Sequence, residues 1–187
     1  AVVGALLDRG ATCHIPSRGS EIPGAFAYAT HDRVRLYPSV ELADQSQTDS
    51  FYSNVGPLWA SIHLAGGFAA KKLKDSGKSD LMAMLETNIV SCFLCCRAAL
   101  KAFGTDGGRI VNVAARPALE PRTGAGMTAY TIGKSSVAAL TMALAEEVAK
   151  DGVLVNAVAP SIMNTAANRK AMPKANHALW PTVEQVA

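Results

Sequence analysis

The spacing of apolar and polar residues along the chain predicts alternating strands and helices. The predicted strands are short and apolar: Ala11–Ile15, Val34–Leu36, Trp59–His63, Ile110–Ala114 and Val153–Val158. The predicted helices have apolar positions at helical spacing: Ala1–Gly10, a segment near Thr48–Val55, and two long ones over about Asp80–Phe103 and Ala129–Lys150. Nearly continuous apolar strands joined by long crossovers predict an α/β fold, with a parallel sheet and helices on both of its faces.

The segments between these elements read as loops. Pro16–Gly24 is rich in turn residues, and residues 71–79 are polar. The chain after Pro160 is predicted to be irregular, until Glu184–Ala187 reads as the start of a helix. Because the first element is a helix with no strand before it, we expect a single α/β domain over residues 1–187 that is incomplete at both ends.

Composition and charge exclude several classes of protein. The chain has 187 residues, 49% apolar and 18% charged, with a net charge of +3, which is typical of one folded globular domain. The positive charge is too small and too scattered to predict binding to nucleic acid. No apolar run is predicted to span a membrane, and no secretory signal opens the chain.

The four cysteines are Cys13, Cys92, Cys95 and Cys96. The last three form C-x-x-C-C inside an apolar helical segment. A metal or redox motif would need further ligands, and the sequence shows no second cluster. We therefore expect packed, reduced thiols, no metal, and a cytoplasmic location.

Tyr130 and Lys134 are the first candidates for chemistry. Four residues apart on a helix, both side chains lie on one face. A nearby ammonium favours the phenolate and lowers the pKa of the tyrosine, which can then act as an acid or base nearer neutral pH. The alternative is an ordinary tyrosine and lysine that happen to have helical spacing.

Four pieces of the chain, in this order, resemble the short-chain dehydrogenase/reductase family. They are Leu64–Gly67 after a strand, Asn88 in a helix, the Tyr130–Lys134 pair, and Val155–Ser161. The resemblance covers nearly the whole chain. It implies a Rossmann-like, doubly wound fold and an NAD(P)H-dependent oxidoreductase acting on a small-molecule substrate.

The family's roles carry over to the matching positions. The resemblance implies that Tyr130 donates the proton, that Lys134 lowers its pKa and binds the nicotinamide ribose, and that Asn88 holds a water that relays protons to Lys134. It also implies a homodimer or homotetramer formed through the two long helices. The cofactor-binding positions that it implies are Ser17, Arg18, Glu41, Leu42, Ala65, Gly66, Tyr130, Lys134, Pro160, Ile162 and Thr165.

Cofactor preference is read after the second strand of such a fold. An acidic residue there favours NAD, whereas a basic residue accommodates the phosphate of NADP. Ser17 and Arg18 stand at this position, with no acid before Glu21, so NADP is expected and NAD remains possible.

The sequence departs from the family pattern in three places. The family's opening strand and its glycine-rich loop are not found. Ala114–Ala115 follows Asn112–Val113, so Ala115 stands where the family has its catalytic serine. His63–Leu64 replaces a pair of asparagines, and we expect His63 to be a packed or hydrogen-bonded histidine.

Alanine in place of the serine is similar to the dihydropteridine reductase branch of the family. Ala65–Ala69 and Asn168–Pro173 resemble that branch too, whereas Asn88 and Arg18 do not. Three hypotheses therefore stay open: a general reductase of the family, a dihydropteridine reductase-like enzyme, or a catalytically impaired member with a structural or regulatory role.

Overall fold

The structure is a computed structural model that describes residues 1–21 and 26–187. Residues 22–24 of the predicted loop Pro16–Gly24 lie outside the described part. The helices and strands in chain order are α1 (Val2–Leu7), β1 (Cys13–Pro16), β2 (Val34–Tyr37), α2 (Gln45–Val55), β3 (Ala60–His63), α3 (Lys78–Leu85), α4 (Ser91–Ala102), β4 (Gly108–Val113), α5 (Arg116–Leu119), α6 (Thr128–Glu147), β5 (Val153–Val158), α7 (Ala166–Ala171) and α8 (Val183–Val186).

The described residues form two compact units. The first contains Ala1–Glu41 and Pro160–Ala187, and the second contains Leu42–Ala159. In the first unit, β1 and β2 pair in parallel, from Cys13 opposite Val34 to Pro16 opposite Tyr37. Leu7 of α1 packs against Cys13 and Val34 to form this unit's small apolar core. The expectation of a single domain stays a prediction.

The second unit is built on a parallel sheet in the order β3-β4-β5. The register places His63 opposite Asn112 and Val113 opposite Val158. Helix α4 packs on β3 and β4, and α6 packs on β4 and β5. The predicted parallel strands are confirmed, and β5 has the bounds expected from the sequence.

Two predicted segments differ from the structure. The helix expected over Asp80–Phe103 is interrupted by a π-helical turn at Glu86–Val90 between α3 and α4. The segment after Pro160 that was expected to be irregular contains α7, whereas α8 confirms the helix start expected at Glu184–Ala187. Both are short helices that begin at a capping threonine, and Thr165 Oγ1 accepts the Asn168 N–H at 3.2 Å. Capping of this kind stabilises a helix that has no apolar stripe to reveal it.

One helical segment is long and apolar enough to cross a membrane. Among the described residues this is Lys78–Ala102, which is continuous through the π turn. The expectation that no apolar run is long enough to span a membrane is therefore wrong for this segment. The indication is weak, because the core helix of a soluble protein passes the same test, and 44% of the apolar window is buried inside the protein.

Candidate active site

Tyr130 and Lys134 lie on one face of α6, in its first two turns. Lys134 is buried, and its Nζ donates a hydrogen bond of 2.7 Å to the carbonyl of Val113, at the end of β4. The half-buried ring of Tyr130 meets the ring of Phe68 edge to face, with centroids 5.0 Å apart. Phe68 itself is largely exposed, so the two aromatic rings form a surface that solvent can reach.

Burial controls the protonation of this pair. It raises the pKa of Tyr130 and lowers the pKa of Lys134. The expectation that the pKa of Tyr130 is lowered is therefore wrong for this structure, because removal of the phenol from water raises that pKa. A raised pKa keeps the proton on Tyr130 Oη at neutral pH, which is the state that a proton donor requires.

Asn88 lies in the π turn between α3 and α4 and is almost fully buried. Its amide donates hydrogen bonds to the carbonyls of Met84 (3.0 Å) and Gly67 (3.1 Å), and its Oδ1 accepts the Gly67 N–H at 3.2 Å. Single π turns inside α-helices are frequent at functional sites. Here the turn holds an amide that fixes the segment after β3.

Gly66 brings this segment against the buried polar groups. A Cβ atom at Gly66 would lie 3.0 Å from Asn88 Oδ1 and 3.1 Å from Lys134 Nζ. A side chain at this position would crowd both polar atoms, so glycine allows the backbone to approach them closely. Ala65 and Gly66 are exposed, so the segment presents its backbone to solvent next to Lys134. This close approach fits the role of the family's cofactor-binding segment.

At the position of the family's serine hydroxyl, this chain has the methyl group of Ala115. Ala114 and Ala115 are both buried. Nearby hydroxyl groups in the sequence include those of Thr123 and Thr128. Thr123 is exposed and its Oγ1 donates to the Glu120 carbonyl at 2.8 Å, while Thr128 is the first residue of α6.

The remaining cofactor candidates lie mainly in the first unit. Ser17 follows β1, where its N–H bonds the Tyr37 carbonyl and its carbonyl accepts the Val40 N–H. Arg18 beside it is exposed, and Glu41 is partly buried. Pro160 is partly buried, Ile162 is exposed, and Thr165 caps α7. Leu42 belongs to the second unit, where its carbonyl accepts a bond from Thr48.

A buried polar network that the sequence did not reveal lies between α4 and the sheet. His63 is buried, as expected, with Nε2 2.9 Å from Ser61 Oγ and Nδ1 2.8 Å from Asn112 Oδ1. The thiols of Cys92 and Cys96 contact the same histidine and asparagine. The argument that the cysteines lack further ligands is therefore wrong, because His63 on β3 lies beside the two thiols on α4.

Comparison with known proteins identifies the family. The family model described as short chain dehydrogenase matches residues 1–176. The chain belongs to the short-chain dehydrogenase family. This is a family of NAD(P)-dependent oxidoreductases with a Rossmann-like fold, so the predicted fold and the enzyme class are confirmed.

Individual short-chain dehydrogenases are identical to this chain at about a quarter to a third of the aligned residues. The 3-oxoacyl-[acyl-carrier-protein] reductase of Mus musculus is 29% identical over 172 residues, which are 90% of this chain and 72% of the relative. The acetoacetyl-CoA reductase of Cupriavidus necator is 32% identical over 118 residues, covering 63% of this chain and 47% of the relative. The structure of ElxO with NADP bound superposes with a TM-score of 0.82 at 26% identity, covering 92% of this chain and 72% of ElxO.

Proposed function

We propose that this short-chain dehydrogenase is an NADP(H)-dependent reductase in which Tyr130 donates the proton that accompanies hydride transfer. The observation that carries the proposal is the shared position of Tyr130 and Lys134 on α6, with Asn88 and the exposed Gly66 beside Lys134. A bound nicotinamide supplies the hydride. Reductase relatives and the NADP in ElxO support this direction and this cofactor.

The chain's own groups handle the proton. Tyr130 keeps its proton at neutral pH because burial raises its pKa. When the proton leaves, the phenolate develops on the same helical face as the Lys134 ammonium, which stabilises it. The bond to the Val113 carbonyl holds Lys134 Nζ in place for this role.

Cofactor binding is proposed for residues of each unit, which the family resemblance assigns separately. Ser17 and Arg18 follow β1, at the carboxyl end of a parallel pair, which is where open α/β sheets bind their ligands. The guanidinium of Arg18 suits the phosphate that distinguishes NADP from NAD. The adenine is assigned to Glu41 and Leu42. From the family resemblance, the nicotinamide end is assigned to Ala65, Gly66, Tyr130 and Lys134 in the second unit. The same resemblance assigns Pro160, Ile162 and Thr165 of the first unit to cofactor binding.

The substrate is proposed to be a small conjugated ring system of the dihydropteridine type. Ala115 offers no hydroxyl to polarise a ketone, whereas a quinonoid ring already carries its electron deficiency. The exposed ring of Phe68, set against Tyr130, offers an aromatic face for a planar substrate. The segment Asn168–Pro173 resembles the dihydropteridine reductases in sequence.

A second candidate is a catalytically impaired member of the family with a structural or regulatory role. Its support is the buried Ala114–Ala115 pair, together with a Thr123 hydroxyl that is already bonded to a carbonyl. Such a protein would lack the donor that holds a substrate carbonyl. Loss of one oxyanion-type donor costs about 10²–10³ in rate.

Titration with NADPH and NADH, followed by nicotinamide fluorescence, tests the proposal first. We expect NADPH to bind more tightly than NADH, and Arg18→Ala to remove the difference. Absence of binding by either cofactor would contradict the reductase proposal and favour the impaired one.

Turnover then separates the substrate classes. Quinonoid dihydropterin is expected to be reduced faster than a 3-oxoacyl thioester, and the reverse order would contradict the proposed substrate. Tyr130→Phe is expected to reduce turnover by about 10²–10⁴-fold while NADPH still binds. Tyr28→Phe, which removes the same atom from a tyrosine in the first unit, is the matched control and should leave turnover unchanged.

A further inference from the structure

Four buried side chains of the second unit converge between α4 and the sheet. Cys92 and Cys96 lie one helical turn apart on the same face of α4. His63 and Asn112 are register partners on β3 and β4, beneath that face. Relative exposure is 8% for His63 and lower for the other three, so the four polar ends share an enclosed space.

We propose that His63 Nδ1, the two thiolates and Asn112 Oδ1 form a tetrahedral site for one thiophilic divalent cation of the zinc type. The histidine and cysteine ligand atoms all lie within 4.8 Å of one another. Two sulfur ligands and one imidazole are a donor set that zinc prefers. The site uses neither side chain of the Tyr130–Lys134 pair, although Cys92 lies near enough to Lys134 for an electrostatic interaction. The proposal does not depend on the proposed reductase activity.

The distances agree with such a site at most of its edges. With a zinc–sulfur distance of about 2.3 Å and zinc–nitrogen and zinc–oxygen distances of about 2.1 Å, a tetrahedron separates sulfur from either lighter ligand by about 3.6 Å. His63 Nδ1 lies 3.6 Å from Cys96 Sγ and 4.0 Å from Cys92 Sγ. Asn112 Oδ1 lies 3.6 Å and 3.3 Å from the same two sulfur atoms.

The edge between His63 and Asn112 is shorter. Nδ1 and Oδ1 are 2.8 Å apart, a distance that requires a proton between them. Without a cation, Asn112 Oδ1 therefore accepts a hydrogen bond from the imidazole. The thiols of Cys92 and Cys96 also have this oxygen as a nearby acceptor. Three donors then compete for an oxygen that has two lone pairs. A cation would replace these crowded hydrogen bonds, and Nδ1 and Oδ1 would move apart by about 0.6 Å.

The surrounding hydrogen bonds suit the metal-bound state. Binding releases the two thiol protons, and the imidazole proton moves from Nδ1 to Nε2, which faces Ser61 Oγ at 2.9 Å. Ser61 Oγ is itself bonded to Tyr52, and Asn112 Nδ2 donates to Thr141 Oγ1. Partners of this kind orient metal ligands. Two thiolates also neutralise a divalent cation, so the buried site carries no net charge.

Cobalt(II) provides the direct test, because tetrahedral thiolate coordination gives visible d–d bands and a near-ultraviolet sulfur charge-transfer band. The chain is unfolded in denaturant and refolded with one equivalent of Co²⁺, since the native site is enclosed. We expect both bands at one cobalt per chain, displaced by Zn²⁺. Their absence after refolding would overturn the proposal.

Variants locate the ligands. Cys92→Ser and Cys96→Ser are each expected to weaken the charge-transfer band and the affinity. Ser61→Ala should weaken the affinity by roughly 10–100-fold through His63. Cys95→Ser is the matched control, because Cys95 is equally buried on α4 but bonds Tyr52 instead. Loss of the cobalt bands in Cys95→Ser would refute the assignment. Persistence of the bands in a double variant that lacks both Cys92 and Cys96 would refute it as well.

X-ray absorption of the zinc-loaded wild-type chain gives a result that needs no variant. Sulfur neighbours at about 2.3 Å and nitrogen or oxygen neighbours at about 2.0–2.1 Å are expected. A shell of oxygen and nitrogen alone would place the metal elsewhere and overturn the proposal.

Discussion

Replacement of Asn88 by alanine tests whether the π turn holds the segment after β3. The change removes three hydrogen bonds, two to the backbone of Gly67 and one to the Met84 carbonyl. Each is worth about 0.5–1.5 kcal/mol net. Because the Gly67 groups can turn to water and the Met84 carbonyl stays inside the turn, we expect a loss of about 2–3 kcal/mol in the free energy of unfolding.

Urea unfolding followed by circular dichroism measures this loss. With an m-value of about 2–3 kcal/mol/M, the midpoint should fall by about 1 M urea at unchanged m. NADPH affinity should fall as well, because Gly66 and Gly67 lose their anchor next to Lys134. Ser91→Ala is the matched control: it is buried one turn later, its single bond goes to the Thr87 carbonyl, and we expect less than about 1 kcal/mol.

Two results would refute the reasoning about Asn88. A loss below about 1 kcal/mol would mean that its three bonds contribute no more than one ordinary bond. The expected loss of about 2–3 kcal/mol in the free energy of unfolding, together with unchanged NADPH binding, would mean that the segment after β3 does not contact the cofactor.

Three further predictions concern chemistry and assembly. Ala115→Ser should raise turnover of a simple ketone by about 10²–10³-fold, whereas Ala114→Ser should not; equal effects would contradict the assignment of the serine position. Because burial raises the pKa of Tyr130, the reduction rate should stay flat through neutral pH and fall only at alkaline pH, and a decline near neutrality would contradict this. Met142 is 67% exposed on α6, so Met142→Lys should shift sedimentation toward the monomer; Leu73→Lys, at a residue 69% exposed outside the two long helices, should not. A wild-type chain that is already monomeric would contradict the predicted oligomer.

Local pattern was sufficient for the strands of this fold. The apolar run Val153–Val158 became β5 with the same bounds, since a short apolar run bounded by turn residues has few other structures open to it. Capped helices were harder. Thr165 begins α7 through one side-chain bond, without any apolar period that would reveal the helix in advance.

The sequence by itself determined that Tyr130 and Lys134 share a helical face and that Ala115 follows a buried strand, because both depend only on spacing along the chain. The tertiary structure decided what surrounds them. His63 meets Asn112 across 49 residues of sequence and Cys92 across 29, contacts that only packing of α4 on the sheet creates. Burial likewise reversed the expected pKa shift of Tyr130, because the loss of hydration depends on neighbours that spacing does not specify.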